Sequence, residues 1–324
     1  MGHIMNNQQQ QFLRAHATNI KTLNEIVQKA MGTNTEQITR INKGQSNEVY
    51  FIDLKNGSFV LRIAKGVDYD IFAIERWAMQ EVSRRGVPVA AILSQDTVID
   101  RDEVIHYQIQ EKLIGEPMDD LLVQGKIGRE RSERLTEQAG ELLAAIHSMP
   151  ISGWGRIAKS DHGTYESFEK WILALQEDSE RLDKALAPFN TLGVPRFEEV
   201  WQELHHLKSF IVAEPVLLHY DLTPDHILID SDDRITGIID WGAVHGGDPV
   251  RDLVRWNYWD NYEFSIDWLA STYGQILATS EGFEERMKLA RIIDALVLLD
   301  SSTYKFLSVA DAQHAALVIR DIIK

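Results

Sequence analysis

The 324-residue chain contains no cysteine. Disulfides and thiolate metal sites are therefore excluded, and any bound metal must be held by oxygen or imidazole. No run of about 18 uninterrupted apolar residues occurs, the length at which a membrane-spanning helix enters the reading. The N-terminus also lacks the charged, apolar and small-residue layout of a secretory signal. These absences lead to the expectation of a cytoplasmic protein with no membrane partner. Basic charge is scarce as well: 33 Lys and Arg stand against 49 Asp and Glu, a formal charge of −16. A protein that neutralises nucleic-acid phosphates needs the opposite balance, so no nucleic-acid partner is expected and a cationic small molecule is favoured. The same charge also serves plain solubility. Internal repeats and long low-complexity segments are missing too.

What remains is a composition that is 44% hydrophobic, enough to build a packed core. Residues 1–16, opening MGHIM and continuing NNQQQQ, read as a tag and polar lead-in, with the fold expected from residue 17. From about 36 to 110 the pattern is strand-like. QITRIN, EVYFIDL and SFVLRIA are short β-branched and aromatic runs, and Asn56-Gly57 is expected to close a two-residue hairpin between the last two. A helix is expected over 69–85, with an apolar stripe of Phe72, Ile74, Trp77, Ala78 and Val82, ended by Gly86 and Pro88. DTVID and VIHYQIQ return to strand, giving an antiparallel sheet crossed by one helix. Beyond Gly115 and Pro117 helical periodicity takes over, except in 216–240, where VLLHYD, HILID and ITGIID are too short for helices and bracket loops. The predicted fold class is α+β: a sheet-rich lobe over 17–112 and a mainly helical lobe over 113–324.

Chemistry-bearing residues concentrate in the exceptional stretch. LLHYDLTPDHILID, residues 217–230, holds His219, Asp221, Asp225, His226 and Asp230, and Asp240 follows at the end of GIID. Oxygen and imidazole donors on two neighbouring loops suit a hard divalent cation such as Mg2+, which completes its shell with phosphate oxygens and water. A carboxylate at the end of an apolar strand needs a partner, and a metal is one. Taken singly, Asp240 also reads as a turn cap and His219 as a core histidine.

HYDLTPDH, residues 219–226, followed by GIIDWGAVHGGDPVRDL, residues 237–253, resembles the catalytic segment of the aminoglycoside phosphotransferase family, antibiotic kinases whose fold is similar to that of protein kinases. The likeness continues upstream through the hairpin, FVLRI, the helix bearing Glu75 with RRGVPV behind it, and LIGEP, covering roughly residues 36–260. It implies a two-lobed protein-kinase-like fold, with an N-terminal nucleotide-binding lobe to residue 112 and a catalytic and substrate-binding lobe behind it. It further implies ATP or GTP as phosphoryl donor and Mg2+ as cofactor. Asp221 would be the catalytic base, and His226 and Asp240 the metal ligands. Arg62 would clamp the phosphates, held by Glu75. Gly44, Ser46 and Asn47 would lie over the phosphates, the chain from Glu111 to Leu113 would bind the base, and Asp252 would brace the catalytic loop. Two positions depart from the common pattern. Arg62 stands where Lys is more usual and brings a wider, permanently charged fork. His226 stands where Asn is frequent and offers imidazole to a metal that prefers oxygen.

The resemblance leaves the phosphoryl acceptor open among aminoglycosides, macrolides and metabolites of the choline, homoserine or methylthioribose type. In WNYWDNYEFSIDW, residues 256–268, aromatics alternate with Asp260, Glu263 and Asp267, which suits a polyamine sugar; a packed helix with a wet polar face has the same spacing. The expectation is a monomer that phosphorylates a hydroxyl of an aminoglycoside or related cationic antibiotic. Two other classes stay in view. One is a metallohydrolase built from His219, Asp221, His226, Asp240 and His245; the other is a non-catalytic nucleotide-binding protein.

Overall fold

The computed structural model describes residues 17–41, 47–65, 71–101, 103–212, 214–256, 264–273 and 282–323. Contacts divide the chain into two compact units, one of Met1–Val123 with Asp225–Gly242, the other of Gln124–Pro224 with Ala243–Lys324. The first is built on a five-stranded antiparallel sheet in the order β1-β2-β3-β5-β4. Its strands are β1 (Gln37–Ile41), β2 (Glu48–Leu54), β3 (Gly57–Ala64), β4 (Ile92–Asp100) and β5 (Glu103–Glu111). Helix α1 (Ile20–Met31), which the apolar patterning did not single out, covers one face. Asn19 caps it by accepting from Lys21 N at 2.9 Å, and Gly32 ends it in the left-handed region. Its Leu23, Ile26 and Val27 pack with Tyr50, Ile52, Leu61, Ile63, Ile105, Tyr107 and Ile109.

Two local expectations need correction. The β2–β3 loop consists of Lys55 and Asn56, since Leu54 pairs with Gly57. Neither loop residue has positive φ; the unusual backbone falls on Gly57, φ 146°, which glycine adopts because it has no Cβ. Helix α2 (Ile71–Ser83) turns Phe72, Glu75, Ala78, Met79 and Val82 inward, while Ile74 and Trp77 are only half-buried. A charged residue lies at the centre of the buried face, so hydrophobicity alone rotates the stripe away from it.

The second sheet of this unit gathers β6 (Glu116–Pro117), β10 (Ile227–Ile229) and β11 (Ile235–Ile238) in the order β11-β10-β6, followed after β6 by the short helix α3 (Met118–Val123). Pairing of Leu228 with Pro117 and of Ile229 with Glu116 explains why Asp225–Gly242 belongs to this unit although it lies a hundred residues further along the chain.

The second unit is mainly helical, with α4 (Arg129–His147), α5 (Phe168–Glu177), α6 (Ser179–Leu186), α7 (Phe197–Leu207), α8 (Val250–Trp256), α9 (Ile266–Tyr273), α10 (Phe283–Tyr304) and α11 (Val309–Ile323). Its core joins Leu289, Ile292, Ile293, Leu296 and Leu299 of α10 to Val200 and Leu204 of α7 and Ala315, Ala316 and Ile319 of α11. It also contains a four-stranded sheet, β8-β7-β12-β9, from β7 (Trp154–Lys159), β8 (His162–Tyr165), β9 (Val216–Leu218) and β12 (His245–Gly247). Only β9 was legible; the others are three to six residues long and carry too few side chains of one kind to show a period. No helix among the described residues is long and apolar enough to cross a membrane.

Candidate active site

In the first unit, register places the site. Arg62 on β3 pairs across the sheet with Val49 and Gln108, and its side chain leaves the face opposite the α1 core. It is buried, lies over the Phe72 ring at 5.7 Å, and donates through Nη1 to Glu75 Oε1 and through Nη2 to Asp240 Oδ1, the latter at 3.1 Å. Burial pushes the Glu75 carboxyl above its ordinary range; Arg62 pulls it back down, and Asp240 adds to the rise. Burial also opposes the charge on Arg62, yet Glu75 and then Asp240 hold that cation above its ordinary value. The arginine therefore stays charged and couples a helix, a strand and the Asp240 loop.

The β10–β11 hairpin brings His226 and Asp240 together. Ile227 pairs with Ile238, and Ile239 N donates to His226 O at 3.0 Å, so the residues just outside that pair face each other at the open end. His226 Nε2 stands 3.9 Å from Asp240 Oδ2 and 3.8 Å from Asp225 Oδ2. A magnesium ion bound at about 2.1 Å sets two ligands at most roughly 4.2 Å apart. The His226–Asp240 pair fits that span. Asp240 has φ 63°, a left-handed backbone that a side chain rarely adopts, and such strain gathers at functional positions. With one oxygen on Arg62, it turns the other toward His226.

The segment expected to hold a nucleobase is seated on the same hairpin. The Thr236 hydroxyl donates to Ile114 O. A side chain at Gly237 would run into Leu113 Cδ1, and one at Gly115, φ 127°, would come within 2.8 Å of the Ile229 carbonyl oxygen. Glycine at both positions lets 111–115 lie against β10 and β11. Glu111 N donates to Ala91 O at 2.9 Å, fixing the end of β5. Asn47 precedes β2 and is half-buried. Gly44 and Ser46 lie outside the described residues, as do Asp260 and Glu263; Asp267, near the start of α9, is exposed.

In the second unit, the loop carrying Asp221 hangs from Asp252. That fully buried carboxylate accepts from His219 N at 2.9 Å, Tyr220 N at 2.7 Å and His147 Nε2 at 3.0 Å. Burial alone would raise its pKa, but the hydrogen bond and charge of His147 lead a set of contacts that hold it below the ordinary carboxylate range. Tyr220 is held at φ 65°. Arg255, one turn after Asp252 on α8, donates from Nε to Tyr220 O at 3.1 Å and from Nη2 to Asp221 Oδ1 at 3.3 Å. Asp221 is thus aimed by an arginine that sequence reasoning missed, although its spacing of three from Asp252 on one helix face is a readable signal. His147, 105 residues from Asp252, left none.

Two of the three histidines of a metallohydrolase are otherwise engaged. His219 is fully buried and its Nδ1 accepts from Asp221 N at 3.3 Å. His245 Nδ1 donates to Ala243 O at 2.6 Å, and its ring lies against Tyr220 with centroids 3.8 Å apart and planes tilted by 35°. Burial, and then the positive charge of Arg251, push the His245 pKa down to about 3. Between that value and the ordinary histidine pKa of about 6.5, the unfolded chain binds a proton that the folded chain refuses, so stability falls as pH falls through that window. From this residue the protein is expected to be roughly 2 kcal/mol less stable at pH 5 than at pH 7.5. His245→Asn keeps a donor for Ala243 and should flatten that dependence in urea titrations. An unchanged pH dependence in the variant would remove His245 as its source.

Comparison with known proteins bears on the family and the fold. A family model described as "Phosphotransferase enzyme family" matches residues 37–289. The fold is similar to that of a thermostable mutant of aminoglycoside phosphotransferase APH(4)-Ia in ternary complex with AMP-PNP and hygromycin B. The TM-score is 0.73, with 17% identity over 93% of this chain and 97% of that one. It is also similar to a microcompartment-associated aminopropanol kinase (TM-score 0.65, 15% identity, 94% and 95% of the two chains) and to macrolide 2′-phosphotransferase type I (TM-score 0.53, 18% identity, 90% and 95%). At these identities the likeness is one of fold, and the fold is the kinase-like α+β arrangement expected. A stretch of 66 residues is 39% identical to the uncharacterized protein YcbJ of Bacillus subtilis (strain 168), spanning 20% of this chain and only 22% of that protein.

Proposed function

The chain belongs to the phosphotransferase enzyme family, and from that premise we propose that it is a small-molecule kinase moving the γ-phosphate of ATP or GTP to a hydroxyl of a cationic acceptor, an aminoglycoside or related antibiotic. The observation that carries the kinase reading is Arg62, a buried cation on a central strand bound at once to Glu75 and to Asp240. A hydrolase has no use for that triad, whereas a nucleotide needs its phosphates held beside a metal. In this reading Arg62 binds the phosphates, Glu75 holds Arg62 in place, and Glu111 to Leu113 bind the base. His226 and Asp240 would hold Mg2+, which when bound neutralises charge on the phosphate oxygens. Asp221, aimed by Arg255, takes the proton from the acceptor hydroxyl. That oxygen bonds to the γ-phosphorus as the bond to the β–γ bridging oxygen breaks, and the nucleoside diphosphate leaves.

The acceptor reading rests on charge. A polycation replaces its water with charged hydrogen bonds, each worth roughly 1.5–3 kcal/mol, and the net charge of −16 supports an acceptor of that kind. Asp260, Glu263 and Asp267 are proposed as its carboxylates. Nucleoside diphosphate release is the test, measured with Mg2+ and ATP or GTP against a panel of aminoglycosides, macrolides and small amino alcohols. The expected result is turnover with an aminoglycoside and a KM that rises steeply with salt as exposed ion pairs are screened. Turnover only with macrolides or amino alcohols overturns the acceptor assignment and leaves the kinase. Nucleotide binding without turnover on any acceptor favours a non-catalytic role.

A further inference from the structure

Three glutamines stand in line on the sheet face that carries Arg62. Gln108 is the cross-strand partner of Arg62 on one side and of Gln95 on the other. Gln110, two residues further along β5, shares their face. Gln108 is fully buried and Gln110 is 8% exposed. Amides so placed must be bonded, and here their direction is fixed from one end. Gln95 Nε2 lies 2.9 Å from the backbone oxygen of Phe72, which can only accept, so this end of Gln95 is its NH2 group. The same NH2 donates to Gln108 Oε1. Gln108 must then turn its own Nε2 toward Gln110 Oε1, at 2.7 Å. Gln110 is left with its NH2 as the free end, and that nitrogen has no partner among the described residues. Reversing the relay would set the Gln95 carbonyl oxygen against that of Phe72.

We infer that Gln110 selects the donor nucleobase, favouring a purine with oxygen at position 6 over adenine. The inference rests on the proposal that Glu111 to Leu113, which directly follow Gln110, hold the base. Along the edge containing position 6 and N7, adenine offers an amino donor beside one acceptor, whereas a 6-oxopurine offers two acceptors. An NH2 that cannot turn over meets an amine in ATP and an oxygen in GTP or ITP. A site built around a buried donor rejects the analogue that leaves it unpaired.

The test is calorimetric binding of ATP, GTP and ITP to the full chain with Mg2+, which requires no knowledge of the acceptor. ITP separates position 6 from the 2-amino group of guanine. The expected result is that ITP and GTP bind about ten-fold or more tightly than ATP. Gln110→Met, of similar volume, should bring the ITP:ATP ratio to within about two-fold of unity. Gln108→Met frees the Gln110 amide to turn and should narrow the ratio likewise. ATP binding as tightly as ITP in the unaltered protein, or a ratio that Gln110→Met leaves unmoved, overturns the inference alone. Failure of all three nucleotides to bind overturns it together with the donor-site reading beneath it.

Discussion

Asp221→Ala is expected to lower kcat by roughly 10² or more while nucleotide affinity stays within about two-fold, because a general base contributes roughly 10²–10⁴ to rate and acts only as the proton moves. The surroundings of the carboxylate suit that proposed task. The backbone before it is pinned by two amides on Asp252, and Arg255 holds one of its oxygens. Arg255 also bonds Tyr220 O, so it keeps a partner when Asp221 is shortened and the thermal midpoint should barely move. Asp221→Asn preserves size and the contact to Arg255 but cannot take the proton, and should be as inactive as the alanine variant. A parallel loss of nucleotide affinity would place Asp221 among the metal ligands instead.

Asp240→Ala should have the converse effect and abolish Mg2+-dependent nucleotide binding. One Asp240 oxygen accepts from Arg62 and the other faces His226 Nε2 at 3.9 Å, so removal takes away the proposed metal ligand and half of what aims the proposed phosphate clamp. Asp240→Asn separates the two losses. Its amide oxygen can still accept from Arg62, and asparagine tolerates the left-handed backbone at this position, so only the charge offered to the proposed metal disappears. Titration of nucleotide with and without Mg2+ reads the outcome. The difference made by Mg2+ in the unaltered protein should vanish in both variants, and if it persists in either, Asp240 is not a ligand.

Much of this site was legible because its chemistry is local. His219, Asp221, His226 and Asp240 fall within 22 residues, and short apolar runs around them fix the hairpin that presents two of them. What was hidden depends on burial and distance. Glu75, reached in the sequence only through the resemblance, sits at the centre of the inward face of α2, where a hydrophobicity pattern reads a charge as solvent-exposed. His147 reaches Asp252 across 105 residues, and no spacing encodes that. The glutamine relay is invisible for a third reason: an amide in a strand looks like an exposed position until register puts it beside Arg62. Short strands such as β7, β8 and β12 carry too few residues to show a period, so a unit that reads as helical holds a sheet.

The most direct test of the central claim is phosphorus NMR of the purified protein with Mg2+, nucleoside triphosphate and the acceptor panel, run beside Asp221→Asn. The account predicts that the γ-phosphorus signal is lost in step with growth of a phosphomonoester on an acceptor, and that the variant shows almost none of this transfer. Conversion to inorganic phosphate at a rate indifferent to acceptor, or transfer that Asp221→Asn leaves intact, would contradict it.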